Sequence, residues 1–151
     1  MFWFFKKKQK KFGPEFDKKL IQQLEKDHKK LLNQVGKIET AYTKNNEKTI
    51  KKELQTLKYI IVEHFTKEDI KLYWYLKILH KDNLQIIKEI KYFESSIKDI
   101  HITVINFLEY YTEQNILLNS TFKNEFDNIV YALSNRIKTE EKNLYSLYKQ
   151  I

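Results

Sequence analysis

Apolar side chains recur every three or four positions along four long stretches of this chain, and two ionisable residues sit inside one of those rows. In Val62–Leu76, VEHFTKEDIKLYWYL, His64 and Glu68 continue a row that runs Ile50, Leu54, Leu57, Ile61 before them and Leu72, Tyr75, Leu79 after them. Steps of three and four place all of these on one face of a helix. A carboxylate on such a face is unfavourable to bury unless it is paired or bound to a metal. The row therefore fixes the element type, and the intruding pair demands a chemical reason.

The same spacing predicts helices over 15–42, 48–79, 84–112 and 121–149. The first buries Leu20, Leu24, His28, Leu31, Val35, Ile38 and Tyr42, with His28 in a core position. The third carries Ile86, Ile90, Phe93, Ile97, Ile100, Val104, Phe107 and Tyr111. Its Glu94 and His101 fall one position off the row, about 100° round the helix. The fourth shows Phe122, Phe126, Ile129, Leu133, Arg136, Glu140, Leu144 and Leu147, so two ionisable residues again interrupt an apolar face. Polar breaks at Thr43–Glu47, Lys81–Asn83 and Glu113–Ser120 separate the stretches. Two glycines and one proline leave little material for sheet corners, and 42% hydrophobic with 32% charged residues argues against disorder. The expected fold is all-α, an antiparallel up-down-up-down four-helix bundle over residues 15–151, because short links force neighbouring helices to run in opposite directions. A 72-residue offset lays Glu68 on Glu140, Leu72 on Leu144, Tyr73 on Tyr145 and His64 on Arg136, which points to an internal two-fold repeat of a helical hairpin.

Residues 1–14 are expected to form a separate basic and aromatic N-terminal arm, bounded by Gly13-Pro14. Its MFWFF run precedes its lysines and is too short for a signal peptide core or a membrane span. Aromatic residues followed by Lys6, Lys7, Lys8, Lys10 and Lys11 suit weak contact of residues 2–11 with an anionic membrane surface. The expected location is cytoplasmic, peripheral at the membrane if that contact is made. The net charge of +8 raises the question of nucleic acid, but the lysines are spread along every helix and interleaved with glutamates, as on a solvated surface. Without cysteine there are no disulfides, thiolate metal sites or cysteine nucleophiles. There is no nucleophile–base pair, glycine-rich phosphate loop or dinucleotide fingerprint. An enzyme is therefore not expected, with only metal-assisted peroxide or oxygen chemistry left open. Of 28 basic residues one alone is arginine, Arg136, and it occupies a core position where a buried fixed charge can fork onto carboxylates.

His28, His64, Glu68, Arg136 and Glu140 thus point inward at similar heights in the bundle. Two imidazoles and two carboxylates from facing helices are the donor set of a first-row metal site. The alternative is a metal-free ionic network of Glu68, Arg136 and Glu140. On these residues the chain resembles the hemerythrin-like, or HHE cation-binding, family of four-helix bundles. That family places a histidine on the first helix, His-x-x-x-Glu on the second, a histidine on the third, and a histidine followed by a carboxylate on the fourth. His28, His64 with Glu68, and Glu140 match; Glu141 is an alternative where the fourth-helix spacing is one residue longer.

The third-helix position is Ile100, with His101 turned off the row, and the fourth-helix histidine is Arg136. The resemblance thus implies a non-haem iron site, with manganese or zinc as substitutes, holding one metal at most, or none if the site is degenerate. It also implies a role in oxygen or redox sensing or iron handling, with O2 or another small diatomic as partner. The second reading is a bundle without metal that acts as a regulatory or interaction module, more weakly similar to bacterial anti-sigma regulators. No protein partner is indicated.

Overall fold

The computed structural model describes residues 13–150; the expected arm contact at residues 2–11 lies outside them. The described chain is all-α with no strand, and its helices group into four rods, as in a four-helix bundle. The first rod is α1 (Leu20–Thr43). The second is α2 (Glu47–Lys67), which passes through a π-helical turn at Glu68–Tyr73 into α3 (Trp74–Leu79). The third is α4 (Leu84–Tyr111). The fourth is α5 (Ser120–Thr139), followed by a π-helical turn at Glu140–Leu144 and a 3-10 turn at Tyr145–Leu147.

Three of the rods begin at an asparagine, which explains why the polar breaks fall where they do. The side chain of Asn46 accepts from the Thr49 N–H, that of Asn83 from Ile86, and that of Asn119 from both Thr121 and Phe122. Each satisfies donors that a helix start leaves orphaned. Asn45, beside the first of these caps, takes a left-handed conformation with φ of 51°, which asparagine tolerates better than most residues. The first rod departs from expectation by starting at Leu20 rather than near Glu15. Asp17 arrests it: its carboxylate accepts from the Lys19 N–H, its carbonyl accepts from Leu20, and its own N–H donates to the Tyr148 hydroxyl.

The predicted apolar rows are largely the observed core. Leu24, Leu31, Ile38, Leu54, Leu57, Ile61, Leu72, Phe122, Phe126 and Leu144 are all buried. Phe107, Tyr111, Phe122 and Phe126 pack against one another at one end of the molecule, with neighbouring ring centroids 4.8 to 6.2 Å apart. Phe16 and Tyr75 pack on Tyr148 at the other end, each 4.9 Å from it. Between these aromatic ends lies the only cluster of buried ionisable side chains among the described residues: His28, His64, Glu68, Arg136 and Glu140. Contacts across it pair rising numbers in one rod with falling numbers in the next. Asp27 meets Lys67 while Gln34 meets Glu53 on α1 and α2. Phe93 meets Arg136 while Phe107 meets Phe126 on α4 and α5.

Candidate metal centre

The inward residues are delivered by two local devices, the regular α-helix and the π turn. His28 stands on an uninterrupted α-helix, α1, and His64 is in the last turn of α2. Glu68 and Glu140 each open a π-helical turn, and these two openings are 72 residues apart. A π turn inserts one extra residue and is common at functional sites, because it re-aims a side chain without ending the helix. One nitrogen or oxygen from each of His28, His64, Glu68 and Glu140 lies within 4.8 Å of every other. All four residues are 3% exposed or less, so solvent does little to screen their charges.

The imidazoles are oriented from outside. His28 Nδ1 lies 3.3 Å from Glu141 Oε1, and His64 Nδ1 lies 3.2 Å from Asp27 Oδ2. In the neutral tautomer with its proton on Nδ1 toward these carboxylates, each ring turns the lone pair of Nε2 inward. His28 Nε2 lies 3.2 Å from Glu140 Oε2, and His64 Nε2 contacts Glu68 Oε1. A carboxylate behind an imidazole that presents its other nitrogen inward is the usual arrangement around a metal-ligating histidine. Glu141 is therefore not among the four converging residues. It is 40% exposed and sits on the far nitrogen of His28. Lys67 completes the outer arrangement by donating to Asp27 at 2.8 Å.

Arg136 does not grip both glutamates, as its fixed charge had suggested. Its Nε donates to Glu140 Oε1 at 2.8 Å, and its Nη2 donates to the Tyr73 hydroxyl at 2.6 Å and the Phe93 carbonyl at 2.7 Å. The guanidinium also lies 5.0 Å from the centroid of the Phe93 ring. None of these three bonds goes to Glu68. Both oxygens of Glu68 are consequently buried without a hydrogen-bond donor, apart from the close approach of His64 Nε2 to Oε1. An unsatisfied buried carboxylate is rare and needs a compensating cation.

The electrostatics follow this geometry. Burial, reinforced by Glu140, pushes the Glu68 carboxyl up to about 7 against the opposing pull of His64. Burial likewise raises Glu140, but the hydrogen bond to His28 and the charge of Arg136 outweigh it and leave Glu140 below the ordinary carboxylate range. His64 is disfavoured as a cation by burial, yet its bonds to Asp27 and Glu68 raise it to about 9. Asp27, raised by its partial burial, is brought down to about 2 by His64 and Lys67. A divalent ion would replace the proton on His64 and supply the charge that Glu68 lacks.

Two tyrosines that the sequence did not place among the inward residues lie in the site. The Tyr145 hydroxyl lies 3.0 Å from Glu140 Oε2 and 3.1 Å from His28 Nε2, and the Tyr73 hydroxyl accepts from Arg136. Each stands five residues after the glutamate that opens its π turn. His101 lies outside the cluster, stacked on Phe65 at 4.6 Å. His80 follows α3 and pairs its Nε2 with the Leu147 carbonyl at 2.8 Å. No helix among the described residues is long and apolar enough to cross a membrane.

Two imidazole nitrogens and two carboxylates, one of them with no partner beyond His64, fit a first-row metal ion. The sequence profile of the hemerythrin HHE cation binding domain matches residues 19–148, which contain every residue of this cluster. Neither the curated proteins nor the solved structures contain a significant match. The profile covers most of the chain: the protein belongs to the hemerythrin HHE cation-binding family, whose name and this His/Glu cluster together indicate a metal-binding function.

Proposed function

We propose that the chain holds a single non-haem iron ion by His28, His64, Glu68 and Glu140, and works in oxygen or redox sensing or in iron handling. The observation that carries this reading is Glu68, a carboxylate 1% exposed with no hydrogen-bond partner beyond the close approach of His64 Nε2, facing two imidazoles and a second carboxylate. Mixed imidazole and carboxylate donors suit iron, and manganese or zinc could take the same place. Bound iron would supply a one-electron couple and affinity for a small diatomic such as O2.

The chain's own residues define the rest. Asp27 and Glu141 hold the two rings in register. Arg136 puts a permanent positive charge against Glu140 where a second cation would otherwise sit, which restricts the centre to one ion. The charges of Glu68, Glu140 and Arg136 sum to −1 with neutral imidazoles, and a divalent ion brings the site to +1. Cytoplasmic location, and contact of residues 2–11 with an anionic membrane, accord with the sequence and belong to the same proposal.

The reading of a metal-free regulatory module draws on one feature, the Arg136–Glu140 pair. That pair makes no hydrogen bond to Glu68, whose one close partner is His64, and so explains only half the cluster. The test is metal content after purification without chelator. His64→Ala should lose the ion, whereas His101→Ala, outside the cluster, should keep it. Equal loss from both would refute the ligand assignment.

A further inference from the structure

We infer that Tyr145 supplies a fifth donor to the ion, its phenol oxygen forming one face of the coordination shell with His28 Nε2 and Glu140 Oε2. The inference rests on the metal-centre reading above and deepens it.

The first support is metric. Tyr145 Oη, His28 Nε2 and Glu140 Oε2 form a nearly equilateral triangle, with sides of 3.1, 3.0 and 3.2 Å. Adjacent donors around a six-coordinate ion are separated by √2 times the bond length, so sides of this size correspond to bonds of roughly 2.2 Å, close to those that first-row ions make with nitrogen and oxygen. The phenol oxygen is as close to each of the other two donors as they are to one another.

The second support is a proton count. In the metal-binding tautomer of His28, with its proton on Nδ1 toward Glu141, Nε2 presents only a lone pair, and Glu140 Oε2 presents only lone pairs. The Tyr145 hydroxyl has one hydrogen and can satisfy one of them. Three electron-rich atoms around a single proton leave a lone pair against a carboxylate oxygen in a dry interior. A cation between them resolves that conflict.

The backbone explains how the tyrosine arrives there. On a regular α-helix, residues five apart point about 140° away from each other. Here the Tyr145 N–H donates to the Glu140 carbonyl, so the π turn closes between these two residues and brings both side chains to the same side. Tyr73 stands in the same relation to Glu68, but its hydroxyl is taken by Arg136. Among the described residues Tyr73 faces a cation that the chain itself provides, and Tyr145 faces only ligand atoms. Coordination of Tyr145 exchanges its O–H bond for a metal–oxygen bond and releases one proton to solvent. The site charge with a divalent ion then falls from +1 to zero.

The experiment loads the full chain with ferrous ion under anaerobic conditions, oxidises it with ferricyanide, and records visible absorption and resonance Raman spectra alongside iron per chain. The expected result is a visible phenolate-to-ferric charge-transfer band with enhanced tyrosine ring vibrations. Tyr145→Phe should abolish the band while iron per chain is retained, and Tyr73→Phe should preserve it. An iron-loaded chain without such a band, or a band that survives Tyr145→Phe, would overturn the inference and leave the metal centre standing. An unmodified chain that takes up no iron would overturn the metal reading and this inference with it. The Raman measurement on the unmodified chain decides the question even if Tyr145→Phe fails to fold.

Discussion

Replacing Glu68 by glutamine should stabilise the metal-free protein and weaken the metal-loaded one. The magnitude follows from the burial of that carboxylate. Its folded value of about 7, against an ordinary 4.5, penalises the folded state once Glu68 is ionised. A rise of that size corresponds to about 3 kcal/mol at pH 8, at 1.36 kcal/mol per unit. Glutamine removes the charge and keeps the shape, but its amide has no acceptor arranged for it, which costs about 1 kcal/mol. The net expectation is about 2 kcal/mol of stabilisation in chelator, a rise in thermal midpoint of roughly 4–8 °C for a domain of this size. In the loaded protein the same change removes an anionic ligand and lowers the midpoint. The assay is thermal or urea unfolding of both proteins at pH 8, with chelator and with metal. Destabilisation of the chelated protein by Glu68→Gln would refute the reasoning, because it would mean that the carboxylate is already satisfied without an ion.

Three further outcomes are expected. The metal-free protein should lose stability as pH rises from about 5 to 9: His64, raised to about 9, contributes stability fully below its unfolded value of 6.5 and loses it on deprotonation, while Glu68, raised to about 7, charges unfavourably over the lower part of that range. Unfolding in chelator across pH measures this, and a flat profile contradicts it. Asp27→Ala should weaken metal affinity by roughly 10–100-fold without removing a ligand, since it frees the His64 ring to turn; competition with a chromogenic chelator reads the change, and unchanged affinity contradicts the orienting role. Arg136→Met should destabilise the chelated protein by about 3–5 kcal/mol, because buried Glu140 loses its permanent counter-charge and the Tyr73 hydroxyl its donor. Urea unfolding tests that, and a smaller loss is expected once an ion partners Glu140.

The four rods and the residues that meet between them were legible because helical periodicity is a strong signal and an ionisable residue on an apolar face stands out against it. His28, His64, Glu68, Arg136 and Glu140 all lie on their predicted rows and are all buried. The part that periodicity hid has two causes. The π turns at Glu68 and Glu140 re-aim the residues within them, so Tyr73 and Tyr145, which lie off the predicted rows, are directed into the site. The coincidence of both glutamates and both tyrosines under the 72-residue offset was the available hint, and an α-helical wheel discards it. Asp27 was hidden differently. It precedes His28 and lies off the α1 row, and only the pairing of α1 with α2 brings it to the ring of His64. The partners of Arg136 were misjudged because two of its three acceptors, the Phe93 carbonyl and the Tyr73 hydroxyl, carry no charge that a sequence could advertise.

The central claim is that the buried carboxylate of Glu68 belongs to a cation. Elemental analysis of the full chain, purified without chelator and supplied with ferrous ion, measures it most directly. One equivalent of metal per chain is the predicted result. No bound metal would make the cluster a purely ionic core, and two equivalents would contradict the role given to Arg136.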